Sequence, residues 1–136
     1  MSSYSNYQLE ILKRKEFGLS PKPIESSEIL NEIIVDIKRN SSNTKKESLN
    51  HLIFNTLPGT TPAAKVKAEF LKDIILNLEN IEEISIDFAF ELLSHMKGGA
   101  SVRVLLDIAF SNNQILAKKA SQVLKTQVFL HDADTN

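Results

Sequence analysis

Large apolar side chains return every three to four residues along almost the whole chain, and alternation at period two is nearly absent. The first spacing lines up one face of an α-helix, whereas a half-buried strand would show its apolar residues at every second position. The chain is therefore restricted to helix packed on helix. Residues 4–17 carry Tyr4, Tyr7, Leu9, Ile11 and Leu12, with Gly18 as the stop. Pro21 and Pro23 then impose an extended stretch. Ser26 or Ser27 caps a second helix striped by Ile29, Leu30, Ile33, Ile34 and Ile37, a face wide enough for two neighbours.

A polar loop over 40–43 precedes Thr44 and Glu47, whose spacing is that of a capping box. The helix they open buries Leu49, Leu52, Ile53 and Leu57 and stops at Pro58-Gly59. Thr61-Pro62 starts a fourth helix, with threonine as cap and proline at the first helical position. Its stripe is Val66, Phe70, Leu71, Ile74, Ile75 and Leu78. Ser85 opens a fifth helix with Ile86, Phe88, Ala89, Phe90, Leu92, Leu93 and Met96, which Gly98-Gly99 closes as a left-handed cap. A sixth holds Val102, Leu105, Leu106, Ala109 and Phe110. Asn112 or Asn113 caps the last, with Ile115, Leu116, Ala120, Val123, Leu124 and Val128.

Short loops make consecutive helices antiparallel neighbours. The expected fold class is all-α: a HEAT-like α-α superhelix of about six to seven helices stacked as antiparallel pairs. A compact irregular bundle is the competing architecture. The 136 residues suffice for one domain. Residues 1–20 form its N-terminal helix and extended lead-in, and residues 131–136 are expected to be a flexible tail.

Sixteen Lys and Arg nearly balance seventeen Asp and Glu, so the overall excess of positive charge usual in phosphate-neutralising proteins is missing. The absence of cysteine removes disulfides, thiolate ligands, iron–sulfur ligation and thiol nucleophiles together. The N-terminus lacks the basic and apolar blocks of a signal peptide, and no apolar run reaches bilayer length. The expectation is a cytoplasmic protein with no membrane partner.

Three segments carry a resemblance. Gly18-Leu-Ser-Pro-Lys-Pro-Ile24, Val66-Lys-Ala-Glu-Phe-Leu71 and Ala89-Phe-Glu-Leu-Leu-Ser-His-Met-Lys-Gly-Gly99 occur in order, followed by Leu105-Leu-Asp107. They are similar to Gly-Ile-x-Pro-Lys-Pro-Leu, Val-Lys-Ala-x-Phe-Leu and Ala-x-Glu-Leu-Leu-x-x-Met-x-Gly-Gly. Those are motifs of the N-terminal HEAT-like domain of bacterial aconitase B. The chain resembles that domain in stand-alone form, without the swivelling and catalytic domains whose cysteines hold an iron–sulfur cluster. Where the family pattern continues with Tyr-Asn and soon a proline, this chain has Ala100, Ser101 and Val104. The resemblance implies a HEAT-like fold and a binding role: protein contacts and assembly, shaping the route to an active site, and regulatory RNA binding. With no cysteine, aconitase activity is not expected of this chain.

No other catalytic set stands out. His51, His95 and His131 are isolated along the chain, and none belongs to a pattern such as His-Glu-x-x-His. They read as surface or half-buried histidines. Glu82, Glu83 and Asp87 suit a helix start. Gly98-Gly99 lacks the lysine and preceding strand of a phosphate loop. No enzyme activity, metal or cofactor is expected. The candidate interaction surface is Ile24, Lys97, Arg103, Phe129 and Leu130, for a protein partner that includes a second copy or an aconitase-like protein among its candidates. The alternative is an RNA-binding regulator whose basic face uses Lys13, Arg14, Lys15, Lys118 and Lys119. Lys45, Lys46, Lys65 and Lys67 form two further basic pairs.

Overall fold

The computed structural model describes residues 2–39 and 43–135, with side chains through residue 127. Among the described residues seven helices follow one another: α1 (Ser3–Glu16), α2 (Ser27–Lys38), α3 (Lys45–Phe54), α4 (Pro62–Ile75), α5 (Ile86–Met96), α6 (Gly99–Ala109) and α7 (Gln114–Thr135). Extended pairing among the described residues is limited to two isolated bridges, Ile24 with Thr56 and Ile81 with Ile84. The class is all-α and HEAT-like.

The chain divides into two compact units. The first holds Met1–Leu57 with Thr61–Lys67, and the second Pro58–Thr60 with Ala68–Asn136, so the division falls within α4. In the first unit α1 packs on α2 and α2 on α3. In the second, α5, α6 and α7 pack on one another, with the closest association between α6 and α7.

Most helix starts follow their caps. Ser26 Oγ accepts from the Glu28 and Ile29 amides, Thr61 Oγ1 from Ala64, Ser85 Oγ from Phe88 and Asn113 Oδ1 from Leu116. Each satisfies an amide that lacks an intrahelical acceptor. Thr44 departs from expectation: at φ −103° and ψ +7° it lacks the extended backbone of a cap and makes no bond to the α3 amides, and its hydroxyl donates to Asp36 at 2.7 Å. Leu78 also leaves its expected stripe. Asn77 adopts φ +63°, while Leu78 N–H donates to the Asp73 carbonyl and Asn77 N–H to that of Ile74. That left-handed stop ends α4 early and leaves Leu78 exposed.

The Gly98-Gly99 pair has a different purpose from the one its sequence suggests. The left-handed residue closing α5 is Lys97, at φ +46° and ψ +48°, and Gly98 is extended and precedes α6. A Cβ on Gly98 would stand 2.7 Å from Gly59 Cα and 2.8 Å from the Gly59 carbonyl oxygen. Gly98 is therefore needed for backbone contact with the 58–60 turn.

Candidate interaction surface

The buried polar groups of the first unit are bonded within the fold itself. Thr44 and Ser48 both donate to Asp36 Oδ2, Ser48 at 2.6 Å. Because the Ser48 proton is committed to that carboxylate, the Tyr4 hydroxyl, 2.9 Å away, donates to Ser48 Oγ. Burial raises the Tyr4 pKa and outweighs the opposing Ser48 hydrogen bond. Burial also pushes Tyr7 up to about 12, and its hydroxyl donates to the Lys22 carbonyl at 2.6 Å. Both tyrosine rings meet His51 edge-on, with centroids 6.1 and 5.6 Å away.

His51 is buried, which corrects the expectation of a surface or half-buried ring. The Asn55 amide donates to its Nδ1 at 2.7 Å, leaving the ring proton on Nε2, 3.5 Å from Glu47. A ring so enclosed joins α1 to α3 and presents nothing to a ligand. His95, by contrast, is exposed beside Glu91, and the side chain of His131 lies outside the described residues. Among those residues no group of three His, Cys, Asp or Glu is placed to hold a metal ion. No described helix is long and apolar enough to cross a membrane.

Lys67 is the group that sequence reading misplaces. Read as half of a basic surface pair, it is only 6% exposed, and its Nζ donates to the Ile53 carbonyl at 3.2 Å. Burial lowers its pKa to about 8. The signal was present: Ala63, Ala64, Ala68 and Leu71 are all buried, and position 67 falls on the same helical face.

Of the candidate surface residues, Ile24 is the clearest correction. It is 1% exposed, and its backbone pairs with the third helix's exit: Ile24 N–H donates to the Asn55 carbonyl at 2.6 Å and Leu57 N–H to the Ile24 carbonyl at 2.9 Å. The proline-restricted stretch is thus stapled into the first unit's core. Lys97 and Arg103 are exposed in the second unit. The side chains of Phe129 and Leu130 lie outside the described residues. In the basic set, Lys13, Arg14 and Lys15 form the last turn of α1, where cations complement the helix dipole. Arg14 Nε also donates to the Ser20 carbonyl. Lys118 is exposed on α7, and Lys119 pairs with Asp87. The two groups belong to different units.

Sequence reading also missed where apolar surface stays open. Phe110 is 84% exposed and Ile115 75% exposed, either side of the turn from α6 to α7, and Leu106 on α6 is exposed as well. Leu106 and Phe110 stand four residues apart on the helix face that also carries Arg103. In the first unit, Leu9, Leu12, Phe17 and Leu19 are exposed along the end of α1.

Comparison with known proteins places the sequence in a family. Residues 6–136 match the family model described as the aconitate B N-terminal domain. The chain belongs to that family. It is 30% identical over 126 residues to aconitate hydratase B of Helicobacter pylori, a match covering 93% of this chain and 15% of the relative. Aconitate hydratase B proteins of Synechocystis and Escherichia coli are each 28% identical over 128 and 127 residues, covering 93% of the chain and 14% of either relative. The chain thus spans about one seventh of the length of these aconitate hydratases. Its three aconitase B motifs lie on the framework described above. The first contains the Ile24 staple, the second Lys67, and the third ends at the contact of Gly98 with Gly59.

Proposed function

We propose that this member of the aconitate B N-terminal family is a non-catalytic protein–protein interaction module with a regulatory or assembly role. The observation that carries the reading is the apolar corner between α6 and α7, where Phe110 and Ile115 are 84% and 75% exposed beside Leu106. Apolar side chains grouped at one corner, with Arg103 on the same helix, have the makings of an interface core and its polar rim. Scattered single leucines would carry no such weight. An aconitate hydratase and a second copy of this chain are both candidate partners.

The test is affinity purification of the tagged chain from its own cells, with and without nuclease. A stoichiometric protein that survives nuclease and is lost from the Phe110→Ser, Ile115→Ser double variant is the expected result. Loss of every partner on nuclease treatment would replace this reading with RNA binding. Retention of the same protein by the double variant would remove the α6–α7 corner from the interface.

A further inference from the structure

The exit of α1 is a rigid turn that faces apolar side chains outward. Leu19 N–H donates to the Arg14 carbonyl at 2.9 Å and Gly18 N–H to the Lys15 carbonyl at 3.0 Å, with Gly18 at φ +71°. This is the two-bond Schellman stop. Arg14 Nε adds a bond to the Ser20 carbonyl at 2.7 Å. Such a stop commonly includes an apolar contact between the residue after the glycine and the helix's last turn. Here the last turn supplies Lys13, Arg14 and Lys15, and Leu19 is left 51% exposed. Phe17 at the cap is 80% exposed, and Leu9 and Leu12, earlier on the same helix, are exposed as well. These hydrogen bonds fix the presentation before any partner arrives, which lowers the ordering cost of binding.

We propose that this turn is a docking knob for a partner protein offering an apolar groove rimmed by carboxylates. The inference rests on the interaction-module reading and adds the chemistry of one partner surface. Charge determines the rim. Between Leu9 and Lys22 the cations are Lys13, Arg14, Lys15 and Lys22, against the carboxylates Glu10 and Glu16, and Glu10 lies 3.8 Å from Lys22. A groove with a neutral rim would desolvate the lysines without compensation, whereas carboxylates pair with them and steer the approach. An anionic bilayer would attract the same lysines, but it would have to accept Glu16 next to the inserting Phe17.

The experiment replaces Phe17 with p-benzoylphenylalanine in the full chain, irradiates cells of the source organism, and sequences the cross-linked peptides. Phe110 is replaced in the same way in a parallel strain. The expected result at position 17 is one protein adduct whose cross-linked segment contains Asp or Glu. Its yield falls roughly ten-fold when Lys13→Glu and Lys15→Glu are added, and Lys13→Arg with Lys15→Arg retains it. Matching thermal melts confirm that these exposed substitutions leave the fold intact. An adduct indifferent to charge reversal, an adduct on lipid or nucleic acid, or none at position 17 overturns the docking knob. Protein adducts at position 110 with none at 17 overturn it while leaving the interaction module standing. No protein adduct at either position overturns both.

Discussion

Replacing Lys67 by methionine should stabilise the protein at neutral pH, and the wild type should grow more stable as pH rises from 8 to 10. Lys67 is 6% exposed and its Nζ is given to a neutral acceptor, the Ile53 carbonyl. That carbonyl lies in the last turn of α3, where the helix dipole favours a cation. Burial nevertheless prevails and holds the amine at about 8, against an ordinary value of 10.5. At 1.36 kcal/mol per pH unit, keeping the buried ammonium charged at pH 7 costs on the order of 3 kcal/mol. Methionine fills similar space without the charge, at the loss of one charge-assisted hydrogen bond worth about 1.5–3 kcal/mol. The net expectation is a gain of about 1 kcal/mol, visible as a higher urea midpoint with an unchanged slope. Between pH 8 and 10.5 the unfolded chain retains a proton that the folded chain has released, so wild-type stability rises with pH, by at most about 1.4 kcal/mol per unit. The opposing groups act later. Tyr4 and Tyr7 are raised above 10 by burial, Tyr7 to about 12, so their unfolded forms lose protons first and stability falls above pH 10. Lys72 is also raised: burial lowers it, but its Asp107 hydrogen bond and the charge of Glu69 outweigh that. Its contribution is lost only above 10.5. Urea melts at pH 7, 8, 9 and 10 on both proteins provide the measurement. A wild type that weakens steadily from 8 to 10, or a Lys67→Met variant less stable at pH 7, would refute the reasoning.

Gly98→Ala should destabilise by about 1–3 kcal/mol in thermal or urea melts, because the new Cβ meets the Gly59 backbone rather than a side chain able to turn aside. Lys97→Gly should stabilise by about 0.5–1 kcal/mol, since Lys97 pays for a left-handed backbone at the end of α5 that glycine adopts freely. A Lys97→Gly melt below wild type would show that the lysine side chain contributes more than its backbone strain costs.

The sequence was most legible where local chemistry decides the outcome. Ser26, Thr61 with Pro62, Ser85 and Asn113 all open helices near the positions their residue types imply, because a cap acts on amides two or three residues away. Thr44 does not cap because its backbone, at φ −103° and ψ +7°, is not extended; its hydroxyl binds Asp36, eight residues earlier. The charge of Lys67 implies a solvated position, yet the apolar face on which it sits runs from Ala63 to Ile75 and buries it. Ile24 is a different case. Its place near the chain end suggested an open surface, but a proline-extended segment can pair its backbone with a distant loop, as this one does at residues 55–57.

The exposed apolar residues mark where periodicity stops informing. Ile115 and Phe110 satisfied the helical pattern as well as Leu105 and Ala120 did, yet the first pair faces solvent and the second pair is buried. Period states that residues share a face; it does not state that the chain itself supplies what covers it. The three aconitase B motifs fall on the other side of this distinction. Ile24, Lys67 and Gly98 are used for a backbone staple, a buried amine and a close backbone approach, which are requirements of the framework. These motif residues therefore build the fold, while Phe17, Leu19 (itself inside the first motif), Phe110 and Ile115 are exposed and framework packing does not account for them. A partner's identity should accordingly respond to substitutions at those four positions and be insensitive to conservative changes within the motif cores, since folds retain their frameworks while their surfaces take on new tasks.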